Sequence, residues 1–415
     1  MNQPTNLSVN GERLWASLME MAQIGATPKG GVNRLTLTEL DRDARQLFQR
    51  WCEDAGLTVS VDAMGSMFAR RAGQDNALPP VMIGSHLDTQ PTGGKFDGAL
   101  GVIAALELVR SLNDLGVTTR HPIEIANFTN EEGSRFTPAM VASGVFAGAF
   151  TLDYALARTD DAGVTLGNAL SDLNLAGPEP VGGRDIKAFF ELHIEQGPIL
   201  EEDELDVGIV THANGQRWFD VTLIGVESHA GPTPMERRKD ALVGAARVVD
   251  LVYNIGHGHL PNACATCGRI EVFPASRNVI PGRAWVTADL RHPDDARLDQ
   301  MTTALLTGVQ EIATQLGLSA DVKEIFAFPV TTFDQSCVDA VRKAATELGL
   351  RHCDIVSGAG HDAVYMARVA PTAMIFTPCI GGISHNEAED MRPEWATAGA
   401  NVLLRAAVEM AEIVT

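Results

Sequence analysis

An apolar run that ends in a histidine and an acid, crosses a glycine-rich loop and enters an apolar helix constrains this chain more than any other feature. Residues 79–116 read PPVMIGSHLDTQPTGGKFDGALGVIAALELVRSLNDLG. The first part is a buried strand that leaves its sheet at His86, and the loop PTGGKFDGALG feeds a helix that stops at Gly116. The segment HPIEIANFTNEEG then repeats the plan, with Pro122 at the strand's start and Glu131 and Glu132 at its polar end. Strand, functional loop and helix in repetition describe an α/β sheet whose ligand site lies beyond the carboxyl ends of its strands.

Upstream, helical periodicity runs around Leu40, Ala44, Leu47 and Phe48, and LTVSVDAMGSMFARRAG alternates as a strand pair. Around His212 the plan changes. The spacing predicts strand 218–226, helix 238–255, strand 268–273, strand 283–291, helix 294–316 and strand 322–328, the βαββαβ order of a ferredoxin-like unit. The α/β plan then resumes with a helix over 334–349, the strand PTAMIF, the loop GGISHNEAED and a helix over 394–413. The expectation is a mixed-sheet α/β catalytic domain built from 1–212 and 328–415, with a smaller domain inserted at 213–327.

Composition narrows the partners. At 415 residues the chain is long for one core. A formal net charge of −21 opposes nucleic acid and anionic membrane surfaces, which need clustered lysine and arginine. The apolar run 99–109 is too short to span a bilayer, and MNQPTNLSVNGERLW has no basic region followed by an apolar one. Six scattered cysteines, with Cys264 and Cys267 in a single CxxC, fit free thiols rather than a disulfide frame or zinc ribbon. The chain is expected in the cytoplasm, with a small molecule or a second copy of itself as partner.

Divalent metals of borderline or hard character need imidazole nitrogen and carboxylate oxygen. The candidates are His86, Asp88, Asp97, Glu131, Glu132, His193 and His385. In an extended segment His86 and Asp88 point the same way, so Asp88 can hold the His86 ring by its far nitrogen. At the end of a strand, alternation turns one of Glu131 and Glu132 toward the crevice, where one acid can bind metal and the other move a proton. Alone, Asp97 reads as a turn or N-cap residue, His193 in FFELHIEQG as a core histidine, and His385 in GGISHNE as ambiguous. What favours a metal site is the recurrence of such residues where strands end. Serine and cysteine nucleophiles have no support, because there is no GxSxG elbow, and GGKFDG lacks the GK[ST] ending of a phosphate loop.

Six separated motifs, GSHLDTQPTGGKFDGALGV, FTNEEGSRF, ELHIEQGPILE, GVESHAGPTP, SRNVIPG and GGISHNEAED, together resemble the M20 metallopeptidase family, in its carbamoyl-amino-acid hydrolase branch. The resemblance runs from about residue 10 to the C-terminus. It implies two divalent metal ions per subunit, zinc first, with manganese, cobalt or nickel as alternatives. It pairs His86 with His193 on one metal and Glu132 with His385 on the other, with Asp97 bridging. It further implies Glu131 as general base, Asp88 as the acid supporting the ligand His86, and His229 as a lid-domain donor to the oxyanion, often supplied by the other subunit. Asn278 and Arg291 would bind the substrate's carboxylate, and Gln196 the ureido or carboxylate end. Residues 358–362, in SGAGHDA, would wall the site. Where the wider family's peptidases carry a carboxylate, this chain has His193, which points from peptides toward N-carbamoyl amino acids. Allantoate hydrolysis is the sibling alternative and dinuclear peptidase action the more distant one. A homodimer through the inserted domain is also implied.

Overall fold

A computed structural model describes residues 7–414. The described chain divides into two compact units, one made of residues up to Thr211 together with those from Thr332 on, the other His212–Thr331.

The larger unit is a mixed sheet with helices packed on it. Its strands are β1 (Thr58–Val61), β2 (Met67–Arg71), β3 (Val81–His86), β4 (Ile123–Phe128), β5 (Ala188–Ile194) and β6 (Val207–Ala213), joined by His352–Ser357 and Thr372–Thr377. β3 runs parallel to β4 and β5, and β5 parallel to Thr372–Thr377. The outer pairings, β1 with β2, β2 with β4, and Thr372–Thr377 with β6, are antiparallel. Four central parallel strands therefore end at one edge, and the loops that follow them are delivered to a common place.

β3, β4 and β5 are buried along their whole length, which is why apolar residues stand on both faces of each. The helix Ala99–Asp114 is buried over all but its last exposed turn. It contacts β3, β4 and β5 while the helices Gly11–Met21 and Pro393–Ala411 cover it, so its apolar residues occupy every side. Its one buried acid, Glu107, is met by Arg13 at 2.7 Å.

The helix Glu39–Asp54 starts on a Thr38 cap and carries an ion pair into the interior: Arg45 and Asp41, 3.0 Å apart, are 3% and 0% exposed. Arg45 also donates to the Gly65 carbonyl at 2.6 Å and to the Thr129 hydroxyl at 3.2 Å, just before the Glu131 turn. Removing one partner of such a pair strands the other's charge. Arg45→Ala is expected to cost about 3–5 kcal/mol of stability, read by urea denaturation. A loss below about 1 kcal/mol would mean that Asp41 finds other compensation.

The smaller unit has the order strand Gly215–Ile224, helix Ala241–Gly258, strands Cys264–Thr266 and Ile270–Phe273, strand Arg283–His292, helix Asp295–Leu316 and strand Ser319–Phe328. Its antiparallel sheet runs Ile270–Phe273, Arg283–His292, Gly215–Ile224, Ser319–Phe328, with Cys264–Thr266 beside Arg283–His292. This is the ferredoxin-like arrangement. Val221 and Leu223, with Val286 and Leu290, meet Val248, Val252, Leu298 and Leu305 of the two helices in one core. Cys264 opens a short strand, and all six cysteines are free thiols.

Some elements differ from expectation. Three short helices, Val141–Phe146, Leu152–Leu156 and Leu166–Asp172, were not foreseen. They build a separate apolar cluster around Phe136, Val141 and Leu170, and each is too short to show a period. β6 runs through His212, where the change of plan was placed. No helix among the described residues is long and apolar enough to cross a membrane.

Candidate metal centre

The site is assembled from the ends of the parallel strands. His86 is the last residue of β3, and His193 lies one residue from the end of β5. Asp97 sits in the glycine-rich loop, and Gly98 behind it has φ +65°. A Cβ at Gly98 would lie 2.3 Å from the His86 ring, so glycine is required there both for its backbone and for its lack of a side chain.

The five expected ligands come together in two sets that share Asp97. His86, Asp97 and His193 form one set, and Asp97, Glu132 and His385 the other, with the ligand atoms of each set within 4.8 Å of one another. Asp97 Oδ1 is 3.6 Å from His86 Nε2 and 3.1 Å from His193 Nε2. Its Oδ2 is 3.4 Å from His385 Nε2, which is 3.3 Å from Glu132 Oε2. Glu131 belongs to neither set, although its Oε2 is 3.4 Å from His86 Nε2. A third set, Glu191, His193 and His361, lies beside the first.

Two histidines are turned for ligation by their own chain. His86 Nδ1 faces the Asp88 carbonyl and His193 Nδ1 the Ile194 carbonyl, each at 2.9 Å. A carbonyl can only accept, so Nδ1 carries a hydrogen and Nε2 is the nitrogen left to face a metal. The Asp88 expectation is corrected here: the backbone carbonyl of Asp88 holds the ring, while its carboxylate lies 3.8 Å from Nδ1. That carboxylate instead accepts from the amides of Glu131 and Glu132 at 3.3 and 3.4 Å. Asp88 thus fixes the acidic turn.

Strand alternation does not extend to that turn. β4 ends at Phe128, and Asn130 has φ +59°. Glu131 and Glu132 therefore lie in a turn outside the strand, and both carboxylates face imidazoles. Gln90 orients Glu132 through its backbone amide at 3.0 Å and its side-chain amide at 2.8 Å.

Charge explains the cluster's chemistry. Burial, then Asp362 and Glu132, push the Glu131 carboxyl well above the usual range. Burial, then Asp97, push Glu132 up to about 8. Burial brings His86 down to about 4. Against the same burial, hydrogen bonding and charge from Asp97 carry His193 up to about 9, and Glu132 and Asp97 do the same for half-exposed His385. Asp97 is drawn well below its usual value by His193 and His385, despite burial. Among the described residues, the basic side chains facing Asp97, Glu131 and Glu132 within 4 Å are all imidazoles. Closely packed buried acids facing the Nε2 atoms of three imidazoles form a donor set that divalent cations fit.

The other expected residues lie beside the ligand sets or in the smaller unit. Gln196 donates to Asp97 Oδ2 at 2.8 Å, which places its amide beside the ligand sets. His361 packs its ring 4.5 Å from that of His193, and Asp362 accepts from Ser143 at 2.5 Å, so this segment backs the site as expected. In the smaller unit His229 lies in a two-stranded ribbon where it pairs with Val279, and Asn278 flanks the ribbon, its carbonyl accepting from the Ala230 amide at 2.9 Å. Arg291 pairs with Asp289 at 2.7 Å.

Sequence reasoning missed Gln90, Glu191, Ser384 and Glu389. Glu191 accepts from Ser85 at 2.7 Å and from the Ala363 amide at 2.9 Å. Its signal was its place two residues before His193, on the same face of the strand.

A mixed α/β sheet with this imidazole–carboxylate cluster at its parallel edge defines a metal-binding hydrolase class. Residues 82–409 match the model of peptidase family M20/M25/M40, and the chain belongs to that family. Within it, the chain is 52% identical over 409 residues to the N-carbamoyl-L-amino-acid amidohydrolase of Rhizobium meliloti, covering 99% of this chain and 98% of that one. It is 36% identical over 372 residues to the allantoate amidohydrolase of Bacillus subtilis, covering 89% and 90%. The crystal structure of an amidase of the hydantoinase/carbamoylase family from Burkholderia vietnamiensis superposes with a TM-score of 0.97 at 58% identity, covering 99% of each chain.

Proposed function

We propose that this protein hydrolyses the carbamoyl C–N bond of N-carbamoyl amino acids, using two divalent metal ions held by His86, Asp97, His193, Glu132 and His385, with zinc the first choice. The observation that carries the reading is the pair of ligand sets sharing Asp97, in a chain alike over its whole length to an N-carbamoyl-L-amino-acid amidohydrolase. When bound, such ions polarise a carbonyl and make water acidic enough to attack near neutral pH. Glu131, outside both sets, takes the water's proton and returns it to the leaving nitrogen. Cleavage of the bond between the carbonyl carbon and the amino-acid nitrogen releases the amino acid and carbamic acid, which falls apart to ammonia and carbon dioxide.

The smaller unit serves as the lid and substrate end. His229 Nδ1 accepts from the Gly231 amide at 3.1 Å, which leaves Nε2 to carry a hydrogen and donate to the developing oxyanion. Asn278 and Arg291 take the substrate's carboxylate, for which the planar guanidinium is suited; Asp289 holds Arg291 ready. The homodimer forms through this unit. Its support is an exposed apolar stripe on the helix Ala241–Gly258, with Leu242, Val249 and Tyr253 at 40%, 38% and 60% exposure, beside a sheet with open edges. Six free thiols fit the cytoplasm.

Allantoate is the second substrate reading, supported by the Bacillus subtilis relative. A panel of N-carbamoyl-L-amino acids, N-carbamoyl-β-alanine, allantoate and dipeptides, assayed with added Zn²⁺ or Mn²⁺, decides among them. The expected outcome is the highest kcat/KM on an N-carbamoyl-L-amino acid. Faster turnover of allantoate or of a dipeptide would replace the proposal.

A further inference from the structure

Glu389 is a fully buried acid that belongs to neither ligand set, yet its carboxylate packs against the loop that carries Asp97. Its Oε1 accepts from the amides of Phe96 and Asp97, at 2.9 and 3.1 Å. Its Oε2 is 2.9 Å from the Ser384 hydroxyl, which is itself 2.8 Å from Asp97 Oδ2. Asp97 is therefore held twice by the same acid, directly at its backbone and through Ser384 at its side chain. The loop is cut to fit. A Cβ at Gly94 would lie 2.0 Å from both Cδ and Oε1 of Glu389, and it meets nothing else so closely. The backbone at Gly94 is not in the left-handed region, so the glycine there makes room for the carboxylate. Glu389 also lies four residues after His385. One side chain thus ties the loop of the shared ligand Asp97 to the loop that carries His385, across nearly 300 residues of chain.

We propose that Glu389 is a positioning residue for the metal centre: it clamps the 94–97 loop and, through Ser384, aims the Asp97 carboxylate between the two ligand sets. The inference rests on the reading of Asp97 as the shared ligand. Charge is not what the clamp needs. In Glu389→Gln the amide oxygen still accepts from Phe96 and Asp97, while the NH₂ group donates to Ser384, whose own hydrogen stays on Asp97. In Glu389→Ala two buried amides lose their acceptor and Ser384 is released.

The test is Zn²⁺ affinity of the metal-free full chain, measured by competition with a chromophoric chelator, with circular dichroism of the same samples as the fold control. Wild type should bind zinc; no uptake by wild type would defeat the metal-centre reading itself, separately from the clamp. Glu389→Ala should bind about 10- to 100-fold more weakly, the usual loss when a group supporting a ligand is removed, and Glu389→Gln should recover most of it. Should Glu389→Ala fail to fold, Gly94→Ala makes the same comparison, since its methyl displaces the carboxylate while Glu389 stays in the chain. Wild-type affinity in a folded Glu389→Ala or Gly94→Ala variant overturns the proposal. So does an equal loss in the Gln and Ala variants, which would make the charge, not the acceptor geometry, the contribution.

Discussion

Glu131→Gln should retain its metal and lose turnover by about a hundred- to ten-thousandfold, the range in which general acid–base groups act. Two neighbouring acids with equal access to the histidines are separated here by what surrounds them. Glu132 completes a ligand set with Asp97 and His385, and Gln90 grips both of its oxygens, the kind of support that orients a ligand. Glu131 stands outside both sets, and burial with its acidic neighbours pushes its proton affinity up. Glutamine keeps the shape of Glu131 and removes only its capacity to take a proton. Glu132→Gln is the control and should weaken metal retention itself. Metal content and kcat of both variants, purified side by side, assign the roles. If Glu131→Gln empties the site while Glu132→Gln keeps its metal, the two are reversed.

Residue type and position carried far in this chain where the backbone is regular. His86 at the end of β3 follows from an apolar run that stops at a histidine, and the parallel strands bring together residues more than a hundred positions apart. Reading fails where the backbone leaves regular structure. The turn at Asn130 turns both Glu131 and Glu132 inward, which alternation along a strand forbids. Asp88 was assigned to His86 through its side chain, but the carbonyl does that work, and no sequence pattern distinguishes a residue's backbone from its side chain as a partner. Gln196 has φ +59°, and this local twist directs its amide to Asp97. Glu389 carried a faint signal, the second of three acids in NEAED, and acids in loops are ordinarily solvated. Only the packed loop with Gly94 against it shows that this one is enclosed.

The last expectation concerns His229. If its imidazole serves the oxyanion, His229→Ala should lower kcat by about a hundred- to a thousandfold, as loss of one such donor does elsewhere. Its ring is exposed on the ribbon of the smaller unit, and the proposed dimer through that unit gives it a site to serve in the partner subunit. A two-fold dimer repeats each contact, so both sites of the wild type would be composite. Mixing inactive Glu131→Gln with inactive His229→Ala, under conditions that exchange subunits, separates the possibilities. With His229 acting across the interface, a heterodimer has one site that lacks both groups and one that has Glu131 from its own chain and His229 from the other. Activity should then return to about half of wild type per heterodimer, because one of two equivalent sites is whole. With His229 acting on its own chain, each site keeps one lesion and the mixture stays inactive. Exchange is verified independently by mass spectrometry of differently tagged subunits. Verified exchange without recovery would rule out the shared site and confine His229 to its own subunit, leaving the metal ligands and Glu131 as they stand.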